Sequence, residues 1–274
     1  MESDKTQTIF FNWLGNFRAF LYLIFAGKGI GKKFPIFWRI YDFFFCLFSS
    51  KNFVHTVNEV KLLIDLEEPH YHFRRILEDY ASLSEYEPNT VRVLKKIIKK
   101  GDTVLDVGAS IGPLSLVMSN LVGDTGKVIS IEPTPICFYY LCENIKLNGK
   151  KNIFPNLVGA WDKNELFKVQ QRLRRPFWAN GIILDDFLEY LGIEKVDFIK
   201  MDIDGPEPRA LKGLIRTIER NPNLKMIVEY YPKYIKEAGN SPEEMMAILD
   251  KYFTHEKIEG DYGDGYWNFY CVRK

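Results

Sequence analysis

From residue 102 onward, short apolar runs alternate with longer segments whose apolar positions recur every three or four residues. The short runs predict strands, and the longer period predicts amphipathic helices. The predicted strands cover residues 102–107, 127–132, 152–160, 166–170, 196–202, 224–230, 254–260 and 266–274. The predicted helices cover residues 113–121, 135–148, 184–191, 207–219 and 241–252.

This alternation is typical of parallel βαβ units. The last two strands are joined by the short turn "DYGDG", and such a short connection requires an antiparallel pair. We therefore predict an α/β fold with a mostly parallel sheet and one reversed strand. Residues 53–100 are predicted to be mostly helical, because 56–68 and 89–100 both show three- and four-residue spacing. Pro88 places the start of the second of these helices near Asn89 or Thr90.

Residues 1–60 are unusually aromatic and hold 16 of the 41 Phe, Trp and Tyr residues. The apolar segments 9–26 and 34–48 predict a helical hairpin, so we assign residues 1–83 to an aromatic-rich helical extension. The first segment contains Asn12, Asn16 and Arg18, which is unlike a membrane-spanning helix. Two interpretations stay open: a helical cap on the remaining domain or on a second subunit, and an interfacial membrane anchor formed by residues 9–48.

Composition and charge narrow the class of protein. The chain has 46% hydrophobic and 27% charged residues, which is typical of a soluble globular protein. A net charge of +1 creates no field that attracts nucleic acid, so we expect no nucleic-acid partner. Four scattered cysteines predict neither a disulfide framework nor a zinc site, and residues 1–7 lack the basic start of a secretory signal. We expect a cytoplasmic protein with a possible membrane-surface contact and leave its oligomeric state open.

The stretch "VLDVGASIG" (104–112) is an apolar strand followed by a glycine turn, which is the usual place for a nucleotide in such sheets. A triphosphate loop needs a lysine that this turn lacks, and a dinucleotide turn needs a glycine at position 110. Asp106 would repel a pyrophosphate but suits the ammonium group of S-adenosylmethionine. Gly108 and Gly112 are predicted to let the backbone approach that cofactor.

Acidic residues follow two other predicted strands. Glu132 ends the strand that comes next after the glycine turn and is placed to accept both ribose hydroxyls. The segment "VDFIKMDIDGPE" (196–207) ends in Asp202, Asp204 and Glu207. Three carboxylates at one strand end would repel one another in a dry core, so we expect them to face a ligand, a cation or water.

The motifs "DVGASIG", "IEPTPICFYYLCENIKLN", "ILDDFLEYLGIEKVDFIKMDIDGPEPRALKG" and "MIVEY" resemble the FkbM-type S-adenosylmethionine-dependent methyltransferases. The resemblance covers about residues 84–274, which we assign to a methyltransferase domain. It implies a class I methyltransferase (Rossmann-like) fold: a seven-stranded, mostly parallel sheet with one antiparallel strand and helices on both faces. It also implies methyl transfer to a hydroxyl on a sugar, glycolipid or other small metabolite.

The resemblance assigns a role to individual positions. At the cofactor it implies contacts from Asp106, Gly108, Ser110, Gly112, Glu132, Ala160 and Trp161, with the last two near the adenine. It also implies that Asp202 and Asp204 lie by the transferred methyl group. Ser110 and Asp204 depart from the usual Asn and Glu of the family, yet no required charge is lost.

The chemistry leaves several alternatives open. A hydroxyl acceptor needs a base, for which we consider Asp202, Asp204 and Glu229. A divalent ion at the two aspartates could activate the hydroxyl instead, but no metal site is indicated. Three arginines could bind an anionic group of the substrate, namely Arg172, Arg174 and Arg175. Glu207 could bind a polar group of the substrate. The alternative class is a non-catalytic methyltransferase-fold scaffold docked on a membrane or protein partner.

Overall fold

A computed structural model describes residues 52–65, 86–169, 176–258 and 266–274. These residues fall into two compact units. Residues 52–65 and 86 belong to the first, and residues 87–169, 176–258 and 266–274 to the second. The helical hairpin predicted between residues 9 and 48 lies outside the described part of the chain, as do Arg172, Arg174 and Arg175.

The first unit contains an antiparallel hairpin of β1 (Asn52–Val57) and β2 (Val60–Asp65). The helix predicted from residue 56 is therefore wrong over this stretch. Asn58 and Glu59 have left-handed φ angles of 48° and 66°, which suit the tight turn that joins twisted strands. Val60 and Leu62 are buried on either side of the exposed Lys61, so the burial alternates as it does in a strand.

The second unit is built on a large sheet. Its strands are β3 (Thr103–Val107), β4 (Lys127–Ile131), β5 (Ile153–Asn156), β9 (Phe198–Met201), β10 (Lys225–Tyr230), β11 (Phe253–Ile258) and β12 (Trp267–Arg273). The seven strands lie in the order β11-β12-β10-β9-β3-β4-β5. All neighbouring strands are parallel except the pairs that involve β12, which runs antiparallel to both β10 and β11. The predicted sheet with one reversed strand is confirmed.

Helices connect these strands. In the second unit they are α1 (Pro88–Ile97), α2 (Pro113–Val122), α3 (Pro135–Leu147), α4 (Leu184–Tyr190), α5 (Glu207–Lys212), α6 (Ile215–Arg220), α7 (Pro232–Glu237) and α8 (Pro242–Tyr252). Several begin with proline, whose missing N–H costs nothing at a helix start. The helix predicted over 207–219 is two helices separated by a turn at Gly213 and Leu214. A Cβ on Gly213 would lie 2.2 Å from the carbonyl oxygen of Trp161.

A smaller sheet was only partly predicted. Its strands are β6 (Gly159–Trp161), β7 (Glu165–Val169) and β8 (Phe177–Ile183), and they lie in the order β6-β8-β7. The strand predicted over 152–160 divides between the two sheets, with β5 in the larger sheet and β6 in the smaller one. Gly159, the first residue of β6, packs against the ring of Phe167 in β7. A Cβ on Gly159 would lie only 2.4 Å from that ring.

The strand order reverses between β3 and β9, with later strands added on both sides. Right-handed crossovers in opposite directions place α2 and α5 on opposite faces of the sheet. The carboxyl ends of β3 and β9 then border a crevice at this switch point, the usual ligand position in open α/β sheets. Among the described residues, no helix combines the length and apolar character needed to cross a membrane.

Candidate functional site

The turn after β3 has an unusual backbone that only certain residues tolerate. Gly108, Ser110 and Gly112 have φ angles of 89°, 52° and 93°. The amides of Gly108 and Ala109 both donate to the carbonyl oxygen of Ile131, at 2.9 and 3.0 Å. The turn is thereby tied to the end of β4, and α2 begins directly after it at Pro113.

The two glycines of this turn are packed against protein. A Cβ on Gly108 would lie 1.8 Å from the carbonyl oxygen of Asp202, and one on Gly112 would lie 2.6 Å from Leu141 Cδ1. The absent side chains make room for the segment after β9 and for α3, so the glycines bring structural elements together. That they also let the backbone approach a cofactor stays a prediction.

Asp106, in β3, is buried beside a polar network. Its Oδ2 atom accepts a hydrogen bond from Ser115 Oγ at 2.5 Å, and Ser115 Oγ is 2.8 Å from Ser130 Oγ. Burial raises the pKa of Asp106, while Lys200 and Ser115 act in the opposite direction. Its Oδ1 atom has no hydrogen-bond partner among the described residues. Buried carboxylate oxygens normally accept a hydrogen bond, so Asp106 Oδ1 is a candidate acceptor for a donor on a ligand.

Glu132 follows β4 and holds the glycine turn from the other side. Its Oε2 atom accepts from the amide of Ser110 at 2.8 Å, and Oε1 accepts from the amide of Thr134 at 2.7 Å. Burial raises the pKa of this carboxyl group, and the two backbone donors counteract that effect. Each carboxylate oxygen has a second lone pair, so Glu132 keeps capacity for further donors.

Lys200 is a buried cation that the sequence reasoning missed. It lies in β9, where the other side chains are apolar, and only 4% of it is exposed. Its Nζ atom lies 3.1 Å from Asp202 Oδ2, and Asp106 is its register partner on β3. Burial lowers the pKa of Lys200, but Asp202, Glu87 and Asp106 together outweigh burial and raise it. A lysine inside an otherwise apolar strand was the available signal.

Asp202 and Asp204 occupy the tight turn between β9 and α5. Asp202 is the first residue after the strand, and Asp204 is exposed with a left-handed φ of 59°. Glu207 is fully buried, and its Oε1 atom accepts from the amides of Ile203 and Gly205 at 3.0 and 3.2 Å. Burial raises the pKa of Glu207 to about 7. Glu207 therefore shapes the turn that carries the two aspartates.

Glu229 lies in the neighbouring strand β10 and is buried. It accepts a hydrogen bond from the hydroxyl of Tyr266, a residue that sequence reasoning missed. Burial, followed by the charge of Asp202, raises the pKa of Glu229 well above its usual value. The ring of Tyr266 packs edge-on against Tyr231, with 5.1 Å between centroids.

Ala160 and Trp161 belong to β6, in the smaller sheet. Ala160 is buried, and the Trp161 ring stacks on Phe167 at a centroid distance of 4.4 Å. The guanidinium carbon of Arg209 lies 4.7 Å from the centroid of the same ring. A Cβ on Gly159 would lie 3.5 Å from Pro133, so β6 passes close to the segment that follows Glu132.

The predicted acidic residues are thus brought together at one edge of the sheet. Electrostatic interactions link Glu132 to Asp106, Asp106 to Asp202, and Asp202 to Glu207 and Glu229. Within the described ranges, no group of three or more His, Cys, Asp or Glu side chains is arranged to hold a metal ion. The arrangement joins a glycine turn to a set of carboxylates and a buried ammonium group.

Comparison with known proteins adds to this geometry. Residues 106–256, more than half of the chain, match the methyltransferase FkbM domain. Methyltransferase sdnD of Sordaria araneosa is 30% identical over 218 residues, covering 62% of this chain and 81% of that protein. Ribosomal RNA large subunit methyltransferase E of Methanobrevibacter smithii is 38% identical over 198 residues, covering 70% and 82%.

A third relative carries a substrate in its name. Hexuronic acid methyltransferase AglP of Haloferax volcanii is 24% identical over 179 residues, covering 60% of this chain and 68% of that protein. The family match extends from Asp106 to the penultimate strand, β11, and the sheet order is that expected for the fold. The chain therefore belongs to the FkbM methyltransferase family and is an S-adenosylmethionine-dependent methyltransferase of the class I fold.

Proposed function

We propose that this methyltransferase transfers the methyl group to a hydroxyl oxygen of a sugar, glycolipid or other small metabolite. The observation that carries the proposal is the set of carboxylates at the ends of β9 and β10, namely Asp202, Asp204, Glu207 and Glu229. A hydroxyl nucleophile must lose a proton during transfer, and a carboxylate at the reacting centre can accept it.

Asp202 is the base that we favour, with Asp204 as the alternative. The ammonium of Lys200, at 3.1 Å, stabilises the negative charge of Asp202. Glu229 is less suitable, because its raised pKa favours the protonated, neutral form, and a protonated carboxyl group cannot act as a base. We assign Glu229 to binding rather than to proton acceptance.

The cofactor supplies an electrophilic methyl group on a positively charged sulfur. We propose that Asp106 Oδ1, which has no hydrogen-bond partner among the described residues, accepts from the ammonium of the methionine moiety. We further propose that Glu132 receives the ribose hydroxyls. Ser110 and Gly112 would line the methionine end, while Ala160 and Trp161 would border the adenine.

A nucleic-acid acceptor is the main competing substrate class, because several relatives are ribosomal RNA or tRNA methyltransferases. A phosphate backbone is normally bound by Lys and Arg side chains. The cation at Asp202, Lys200, is buried and already paired with that carboxylate, and the other groups that interact with Asp202 include the carboxyl groups of Asp106 and Glu207. Such a set is poorly suited to bind phosphates. The name of the hexuronic acid methyltransferase agrees with a carbohydrate acceptor. We therefore propose that the acceptor is not a nucleic acid.

Acceptor class can be tested with a protein-depleted cell extract and methyl-labelled S-adenosylmethionine. Half of the product is treated with nuclease, and both halves are analysed for labelled methyl ethers by mass spectrometry. We expect the labelled methyl ether in a product whose mass is the same in both halves. Conversion of the labelled product into methylated nucleotides on nuclease treatment would show that the acceptor is a nucleic acid. Asp202→Asn serves as the inactive control and the exposed Asp124→Asn as the active one.

The division into an extension (1–83) and a methyltransferase domain (84–274) remains part of the proposal. So does a membrane-surface contact through residues 9–48. Liposome flotation of the full-length chain and of a chain lacking residues 1–50 tests the contact, since equal behaviour of the two would contradict it.

A further inference from the structure

Lys200 is a buried cation whose contact with Asp202, at 3.1 Å, accounts for only part of its surroundings. An ammonium group is costly to bury unless it is paired with charges of opposite sign. Three carboxylates from three different elements surround it: Glu87 before α1, Asp106 in β3 and Asp202 after β9. An apolar side chain of similar volume would fill the same space among the core residues without this cost.

Two of the three carboxylates belong to the proposed site. Asp202 is bound directly, with 3.1 Å between Lys200 Nζ and Asp202 Oδ2. Asp106 is the register partner of Lys200 on the adjacent parallel strand, so the two side chains lie on the same face of the sheet. Asp106 and Asp202 also interact with each other, and like charges repel. Lys200 is therefore placed where it offsets that repulsion.

We propose that Lys200 is a positioning residue whose ammonium group holds Asp106 and Asp202 together. One of these carboxylates serves the cofactor and the other serves the acceptor, so a single cation organises both halves of the site. The assignment of the two halves rests on the function proposed above. The electrostatic balance between Lys200, Asp106 and Asp202 does not depend on which acceptor is methylated.

The balance makes a specific prediction about second-site rescue. In Lys200→Met, the two aspartates lose their shared cation and repel each other. Adding Asp202→Asn removes one of the two negative charges and relieves the repulsion. A side chain that merely filled space would show no such rescue, because a change of Asp202 would not replace the lost packing. Lys200→Arg keeps the charge and is the conservative variant.

Calorimetric titration with S-adenosylhomocysteine tests the proposal without an acceptor. Coupling energies within charge networks lead us to expect that Lys200→Met binds about tenfold more weakly than wild type. The double variant Lys200→Met/Asp202→Asn should recover to within about threefold of wild type, as should Lys200→Arg. Unchanged affinity in Lys200→Met, or a folded double variant that binds no better than Lys200→Met, would overturn the proposal.

Folding is followed in parallel by circular dichroism. If Lys200→Met does not fold but the double variant folds and binds, the charge balance is supported. If neither folds, Lys200→Arg decides: affinity close to wild type supports the proposal, and a folded protein with about tenfold weaker binding overturns it. Failure to methylate any hydroxyl, with these affinities as expected, would contradict only the proposed function.

Discussion

A Cβ atom added to Gly108 would lie 1.8 Å from the carbonyl oxygen of Asp202. The turn after β3 and the turn after β9 therefore touch through backbone atoms, and no side chain intervenes. This contact sets the separation between the proposed cofactor turn and the proposed base. It also provides a direct test of how the two turns are held.

Gly108→Ala should be strongly destabilising. The substitution places a methyl group into the Asp202 carbonyl and forces alanine to a φ of 89°. We expect a loss of about 3 kcal/mol or more in the free energy of unfolding. Gly149→Ala is the matched control, because Gly149 has a φ of 62° with nothing within 4 Å of its Cβ position. Its cost should be about 1 kcal/mol. Urea denaturation measures both, and equal costs would contradict the close contact.

Glu207 should make stability fall with rising pH. Its pKa in the folded protein is raised from 4.5 to about 7, so the folded state binds the proton more tightly than the unfolded state. The resulting stabilisation is fully present below pH 4.5 and is lost as pH rises to about 7. The loss amounts to about 3 kcal/mol at most.

Glu207→Gln should remove this contribution. The free energy of unfolding of Glu207→Gln, relative to wild type, is expected to rise between pH 5 and pH 8. Glu194→Gln, at an exposed position, is the control and should run parallel to wild type. The assignment fails if Glu207→Gln also runs parallel to wild type across this range.

Substitutions of Asp106 and Asp204 should have different effects: the first should weaken cofactor binding, and the second should affect only later steps of the reaction. Asp106→Ala removes the proposed acceptor for the ammonium group, so affinity for S-adenosylhomocysteine should fall by about 100-fold. Asp204→Ala should keep that affinity, because Asp204 is exposed in the turn between β9 and α5 and is not proposed to contact the cofactor. Calorimetry with both variants, and with the exposed Asp124→Ala as a control, is the measurement. The reverse pattern would exchange the two roles.

Glu229 should tolerate replacement by its neutral isostere. Burial and the charge of Asp202 raise the pKa of Glu229 well above its usual value and so favour the neutral form, which glutamine resembles. With the acceptor found in the labelled extract, Glu229→Gln should keep kcat within about threefold, whereas Asp202→Asn should lower it by about 100-fold. A large loss in Glu229→Gln with an intact Asp202→Asn would identify Glu229 as the base.

The larger sheet and its reversed strand could be predicted because buried parallel strands appear as apolar runs separated by amphipathic helices. The hairpin of β1 and β2 could not, since Val57, Val60 and Ile64 are spaced by three and four residues and also fit a helix. The distinguishing feature is the left-handed pair Asn58 and Glu59, neither of which is glycine. The strand β8 was missed because "FWANGII" follows an arginine-rich stretch and has no regular alternation of apolar and polar residues.

The acids of the site could be predicted because each follows a strand that was itself predicted. Their partners could not, because contacts such as Lys200 with Asp202, or Tyr266 with Glu229, join side chains whose geometry depends on strand register and packing. Glu207 shows the same limit. Its sequence position suggested a helix start, but its buried carboxylate binds the backbone of the preceding turn.

The position of β12 in the sheet determines how late in synthesis the sheet can be completed. This strand is the last of the described chain, yet it lies between β10 and β11. A nascent chain that has emerged only as far as residue 258 carries β11 without its neighbour and leaves β10 as an open edge, which invites chaperone binding or aggregation. Tyr266, just before β12, reaches Glu229 only when this last strand docks. The contact between Tyr266 and Glu229 therefore forms only after β12 has been synthesised.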